Sequence, residues 1–160
     1  MALDYDWENS VGYWICAASH SLRKALDSRL NKEGITIRQW EVLAWLSARG
    51  CGSQSEIADQ LGIKPHTLVG VLSRMEKAKL ITRRSSQEDR RKKTIHATKK
   101  AEALWLQVSK ITHDMRDQAV QGMSKTDLDN LKSLCETVYN NFADQNGINV
   151  PFEIRKQNEG

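Results

Sequence analysis

Residues 53 to 84 read SQSEIADQLGIKPHTLVGVLSRMEKAKLITRR, and this stretch decides the fold. Ser53 and Glu56 stand three positions apart, the spacing of a capping box in which each side chain satisfies the other's free backbone N–H. Ile57, Ala58 and Leu61 then fall on the inner face of a short helix. Gly62-Ile63-Lys64 makes a tight turn, glycine supplying the backbone freedom. Pro65 suits the first turn of a second helix, where its missing N–H costs nothing. That helix, about 65 to 79, buries Leu68, Leu72 and Met75. Two helices joined by a short glycine-containing turn form a helix-turn-helix.

The outward face of the second helix carries the first functional signal. At about 100° per residue, the positions opposite Leu68 are His66, Gly70, Ser73, Arg74 and Lys77, with Thr67 on the flank and Lys64 and Pro65 at its start. An ordinary solvent face would carry Glu–Lys pairs, but here no acid appears before Glu76. Small residues let a backbone approach the major groove, and polar tips can read base edges there. This surface is therefore expected to meet double-stranded DNA.

Downstream, RRSSQEDRRKKTIHATKK spans residues 83 to 100 and holds nine basic side chains, His96 included. Residues 64 to 100 carry twelve Lys/Arg against three Asp/Glu, whereas the rest of the chain has twelve against seventeen. The formal charge of +4 therefore conceals a basic segment on a mildly acidic scaffold. Residues 80–84 and 92–96 are expected to pair as two short strands around a loop at 85–91, where Ser85, Ser86 and Asp89 are turn residues. Such a hairpin is a wing. Its loop would push an arginine into the minor groove, where negative potential is concentrated. Asp89 would fix that arginine's rotamer by pairing with it. The remaining cations, Arg84, Arg90 and Lys92 among them, would meet phosphates and supply affinity without sequence information.

Helices flank this centre. Over 8–33, Val11, Trp14, Ile15, Ala18, Leu22, Leu26 and Leu30 recur at helical spacing up to Gly34. Thr36 and Gln39 form a second capping box, with Trp40, Leu43 and Leu46 following on one face, and Gly50 and Gly52 break that helix into a loop containing Cys51. From residue 99, Leu104, Val108, Ile111, Met115 and Ala119 repeat to a break at Gly122. Ser124, with Asp127, then caps a helix bearing Leu128, Leu131, Cys135, Val138 and Phe142. A seven-residue apolar rhythm on long helices asks for a partner surface, so a homodimer built from both ends of the chain is expected. The tail, 144–160, is polar apart from a few apolar residues.

The expected fold class is mainly α: a winged helix-turn-helix over 36–98 with a small β-hairpin wing, and helices at 8–33 and 99–143 that form a dimerisation part of one 160-residue domain. The hydrophobic share is 39% and the charged share 28%, which fits a globular protein. No run of roughly eighteen apolar residues occurs, so no membrane span is expected. The N-terminus lacks a signal pattern, which points to the cytoplasm. Cys16, Cys51 and Cys135 are too far apart for a zinc set or a disulfide framework. The histidines are scattered, and no spacing suggests a metal, a cofactor or a catalytic triad, so no enzyme is expected.

These elements, in this order, resemble the MarR family of winged-helix repressors, nearest its SlyA-like branch, over residues 11–142. The stretches that carry the resemblance are 53–84 and EDRRKKTIHATKKAEAL, which covers the wing and the next helix. The family's Asp-x-Arg wing pattern is met by Asp89-Arg90-Arg91, so the resemblance implies that Arg91 is the minor-groove arginine. Where the family has Leu-Thr-x-x-Gly, this chain has Ala97-Thr98-Lys99-Lys100-Ala101.

The resemblance further implies a homodimer on pseudo-palindromic DNA, and release by a small phenolic or aromatic carboxylate ligand. The crevice positions that match are His20, Trp40 and Trp45, although the tryptophans fit plain core packing equally well. A redox branch senses peroxide through a first-helix cysteine. Cys16 lies about one turn late for that role and reads as a buried structural thiol, with Cys51 a weaker redox candidate. The other readings are a DNA-binding regulator without ligand control and an architectural DNA-binding protein.

Overall fold

Helix starts in this chain are written in hydroxyl groups. In a computed structural model, which describes residues 6–85 and 93–146, the Ser10 side chain accepts from the Tyr13 N–H and opens α1, Val11–Lys32. The Thr36–Gln39 box forms in full, with the Gln39 N–H on Thr36 Oγ1 at 3.3 Å and the Thr36 N–H on Gln39 Oε1 at 3.0 Å, and opens α2, Ile37–Arg49. The Ser53–Glu56 box does the same for α3, Gln54–Gln60. Gly62, at φ 59°, turns the chain into α4, Pro65–Lys77, with Pro65 in its first turn. Thr98 caps α5, Lys99–Ala119, and Ser124 with Asp127 opens α6, Lys125–Asn146.

The wing strands are β2, Ile81–Ser85, which starts one residue later than the sequence pattern suggests, and β3, Lys93–Ala97, which ends one residue later. At β2 the cause is the exit from α4. Lys79 adopts a left-handed φ of 60°, and the Leu80 N–H returns to the Met75 carbonyl at 2.9 Å, so Leu80 closes the helix rather than opening the strand.

The larger correction concerns Cys51. It lies in a strand, β1, Cys51–Ser53, not in a loop. β1 pairs antiparallel with β3 (Cys51 opposite His96, Gly52 opposite Ile95), making a three-stranded sheet of order β1-β3-β2. Three residues centred on a glycine are too short to show alternation, and glycine is rare within strands. The glycine is nonetheless required, because a Cβ at Gly52 would lie 2.2 Å from Trp45 Cη2.

One hydrophobic core gathers residues from all of these elements except β1 and α6 among the described residues. Leu30, Val42, Ile57, Leu68, Leu72, Met75, Ile81, Ile95 and Val108 are essentially without exposed surface. The α1 stripe divides. Leu26 and Leu30 enter the core, whereas Val11, Trp14, Ile15 and Leu22 stay exposed. Cys16, expected to be buried, is exposed on the same helix, because among the described residues only the C-terminal half of α1 enters the core. Leu131, Leu134 and Phe142 of α6 are also exposed. One buried charge joins α1 to α2: the Glu41 carboxylate receives Arg23 at 3.2 Å and Arg38 at 2.8 Å. No helix among the described residues is long and apolar enough to cross a membrane.

Gly52→Ala should lower stability by about 1–3 kcal/mol, since the added methyl group must displace a buried indole. Chemical denaturation of the two proteins measures this, and an unchanged midpoint would contradict the close approach of Trp45.

Candidate nucleic-acid interface

The sequence-derived positions on α4 form one continuous outer surface. Leu68, Val71, Leu72 and Met75 anchor the inner face in the core. The helix therefore presents His66, Thr67, Arg74 and Lys77 to solvent, with Gly70 and Ser73 half-buried between them. Lys64 is the N-cap residue and Pro65 follows it, both exposed at the start of the helix. The N-terminal end of α4 thus offers the positive end of the helix dipole, which favours an anion such as phosphate.

Sequence reasoning missed one member of this face. Val69 is 45% exposed between Thr67 and Gly70, an apolar side chain suited to contact with a thymine methyl. The sequence reading took the residues opposite Leu68, whereas Val69 lies about 100° round from it, on the flank of that face. Glu76, the first acid on the helix, pairs with Arg83 at 3.2 Å, so it is drawn toward β2 and away from the outer face.

At the root of the wing, Arg84 lies opposite Thr94, two residues before His96 on β3. Strand alternation therefore puts Arg84, Thr94 and His96 on one face of the sheet, while Ile81 and Ile95 fill the core on the other. Thr94 Oγ1 lies 2.9 Å from His96 Nε2. The imidazole's pKa is lowered below its ordinary value, first by removal from water and then by the neighbouring Arg84 guanidinium. Arg90, Arg91 and Lys92, expected at the tip of the wing, lie outside the described residues.

The three expected ligand residues differ in exposure. His20 is exposed on α1. Trp40 is half-buried against the core, and Trp45 is buried at 6% exposure. Both indole Nε1 atoms are buried without a hydrogen-bond partner. Trp45 also borders a groove of about 370 Å³ with Arg49, Cys51, Glu56 and Gln60. Its contact with Gly52 makes packing a sufficient reason for its presence.

The sequence model of the MarR family matches residues 35–93, from the residue before the Thr36 cap to the start of β3. Among solved structures, the chain resembles a cysteine-to-serine variant of MarR from E. coli complexed with operator DNA. That match has a TM-score of 0.74 at 19% identity over 80% of this chain and 92% of the other. An S. aureus MepR–DNA complex gives 0.75 at 24% identity over 84% and 98%. CouR from Rhodococcus jostii bound to p-coumaroyl-CoA gives 0.74 at 20% identity over 84% and 95%. These likenesses establish the fold.

Because its folded pKa is lowered, His96 contributes stability as a neutral group above pH 6.5, and that contribution is lost as the pH falls toward the folded value. An NMR titration should give a His96 midpoint below 6.5, and Arg84→Gln should raise it. A midpoint at or above the ordinary value would show that the ring is neither desolvated nor repelled.

Proposed function

The chain carries a MarR-family segment at residues 35–93 within that family's fold, and on that premise we propose that it is a sequence-specific, DNA-binding transcriptional regulator that acts as a homodimeric repressor. The observation that carries the reading is the outer face of α4, where His66, Thr67, Val69, Arg74 and Lys77 stand exposed around a half-buried Gly70. In this reading α4 enters the major groove with its N-terminal residues toward base edges, and residues 36–98 are the DNA-binding part. Arg84, Arg90 and Lys92 meet phosphates, and Arg91 reaches the minor groove. Two copies on successive major grooves require a pseudo-palindromic operator.

The homodimer rests on the apolar surface that one copy leaves open. Val11, Trp14, Ile15 and Leu22 on α1, with Leu131, Leu134 and Phe142 on α6, are too many large apolar side chains to leave in water. Helices 8–33 and 99–143 are accordingly the dimerisation part. Release by a small aromatic or phenolic ligand belongs to the same proposal. The buried, unpartnered Nε1 donors of Trp40 and Trp45 support it, since such a donor is satisfied by an acceptor it does not find in the chain.

A footprint of the purified protein on its own upstream DNA, with and without salicylate, tests the whole reading. A protected palindrome that disappears with ligand is the expected result, and salt-sensitive binding without a discrete footprint would instead favour an architectural protein. Arg74→Ala should relax discrimination between operators, and Arg91→Ala should cost about 1–3 kcal/mol of binding. Retained specificity and unchanged affinity would place both side chains in solvent. Leu131→Glu should yield monomers that no longer bind DNA, measured by sedimentation, and a variant that remains dimeric would refute this interface.

A further inference from the structure

The outer surface of α4 differs from one flank to the other. Pro65 and Val69 are four residues apart, so their side chains are neighbours on one flank. Both are exposed, Val69 at 45%. Thr67 and Arg74 stand on the opposite flank, with Gly70 on the crest between them. Arg74 Nη1 lies 3.8 Å from the place a Cβ on Gly70 would take, so the guanidinium lies back along the bare crest. The first two turns of α4 therefore carry an apolar strip on one side and polar or cationic groups on the other.

Packing does not account for Val69, because Leu68, Val71, Leu72 and Met75 fill the inner face and Val69 is not in the core. Its neighbours Gly70 and Ser73 are small and half-buried, so the isopropyl group stands proud of them. A β-branched side chain in a helix has one strongly preferred rotamer, so little freedom is lost when a surface closes over it. Glu76, two turns further along this flank, is drawn to Arg83 at 3.2 Å, which leaves the strip uncharged. The floor of the major groove is lined by hydrogen-bond donors and acceptors, and the C5-methyl group of thymine is the apolar exception. A stiff, exposed isopropyl group beside a polar crest is complementary to that methyl.

We propose that Val69, with Pro65 beside it, reads the C5-methyl group of a pyrimidine in each operator half-site. What is read is the methyl and not the base: 5-methylcytosine satisfies the contact, whereas uracil and unmethylated cytosine do not. Methylation of a cytosine at that position therefore strengthens binding. The inference rests on the DNA-binding function proposed above and adds the chemical feature that one flank of α4 selects.

The protein itself supplies the duplex for the test. The full chain is used to select bound sequences from a random duplex pool, and each thymine of the selected site is replaced singly by deoxyuridine. At one thymine in each half-site the replacement should weaken binding about fourfold, the effect of one methyl group removed from water. With cytosine at that position, 5-methylation should strengthen binding about fourfold. Val69→Ala should bind the uracil duplex as the unmodified protein does, and should distinguish neither thymine from uracil nor the two cytosines. Val69 is exposed, so the variant should keep its fold, which circular dichroism checks. A selected site at which no deoxyuridine costs affinity would overturn the proposal and leave the regulator reading in place. So would a thymine preference of the same size in Val69→Ala, which would assign the methyl to another side chain. A pool from which no sequence is enriched would overturn the regulator reading, and this inference with it.

Discussion

One hydroxyl group holds α4, the wing and the long helix after it in register. Thr98 Oγ1 donates to the Lys79 carbonyl at 2.7 Å, just past the end of α4, and accepts the Ala101 N–H at 3.2 Å, which caps α5. The Thr98 N–H meets the Leu80 carbonyl at 3.1 Å, and Lys100 Nζ meets the Ala78 carbonyl at 2.9 Å. The carbonyls of Ala78, Lys79 and Leu80, which follow α4, are thus taken up by the segment that ends the wing. A displacement of the wing relative to α4 would break all of these bonds together. That coupling holds the end of α4, the end of the wing and the start of α5 in one arrangement.

The second constraint is an imbalance of apolar surface. Leu26 and Leu30 bring the C-terminal half of α1 into the core, and the Glu41 carboxylate, held by Arg23 and Arg38, pins that helix to α2. A buried carboxylate needs such partners, because removing one would leave an uncompensated charge. The N-terminal half of α1 and most of α6 contribute no residue to the core among the described residues. The same helix is therefore fastened to the winged domain at one end and offers an apolar face at the other.

The parts of the architecture legible in the sequence were those governed by neighbours three or four residues apart. The Thr36–Gln39, Ser53–Glu56 and Ser124–Asp127 caps all formed where their spacing placed them, and Leu68, Leu72 and Met75 turned inward as their period required. The outer face of α4 followed from the same period. Cys51 was misread because β1 exists only through its pairing with β3, more than forty residues away. The start of β2 slipped by one because Lys79 takes a left-handed conformation that its residue type does not announce. Val69 escaped notice because it lies on the flank of the outer face rather than opposite Leu68. For Trp40 and Trp45, residue type alone cannot separate a core tryptophan from a ligand contact.

The sequence by itself determined the helical segments, their caps, the turn between α3 and α4, and the concentration of positive charge between residues 64 and 100. Each depends on local backbone chemistry or on composition, and both are written in consecutive residues. Only the tertiary structure decided that β1 completes the sheet, that Gly52 must be bare beneath Trp45, and that Arg84 and His96 share one face of the sheet. These are meetings of residues distant in the chain. They arise because burial of one shared core leaves few ways to stack the elements, and that stacking, rather than any local preference, chooses which side chains face each other.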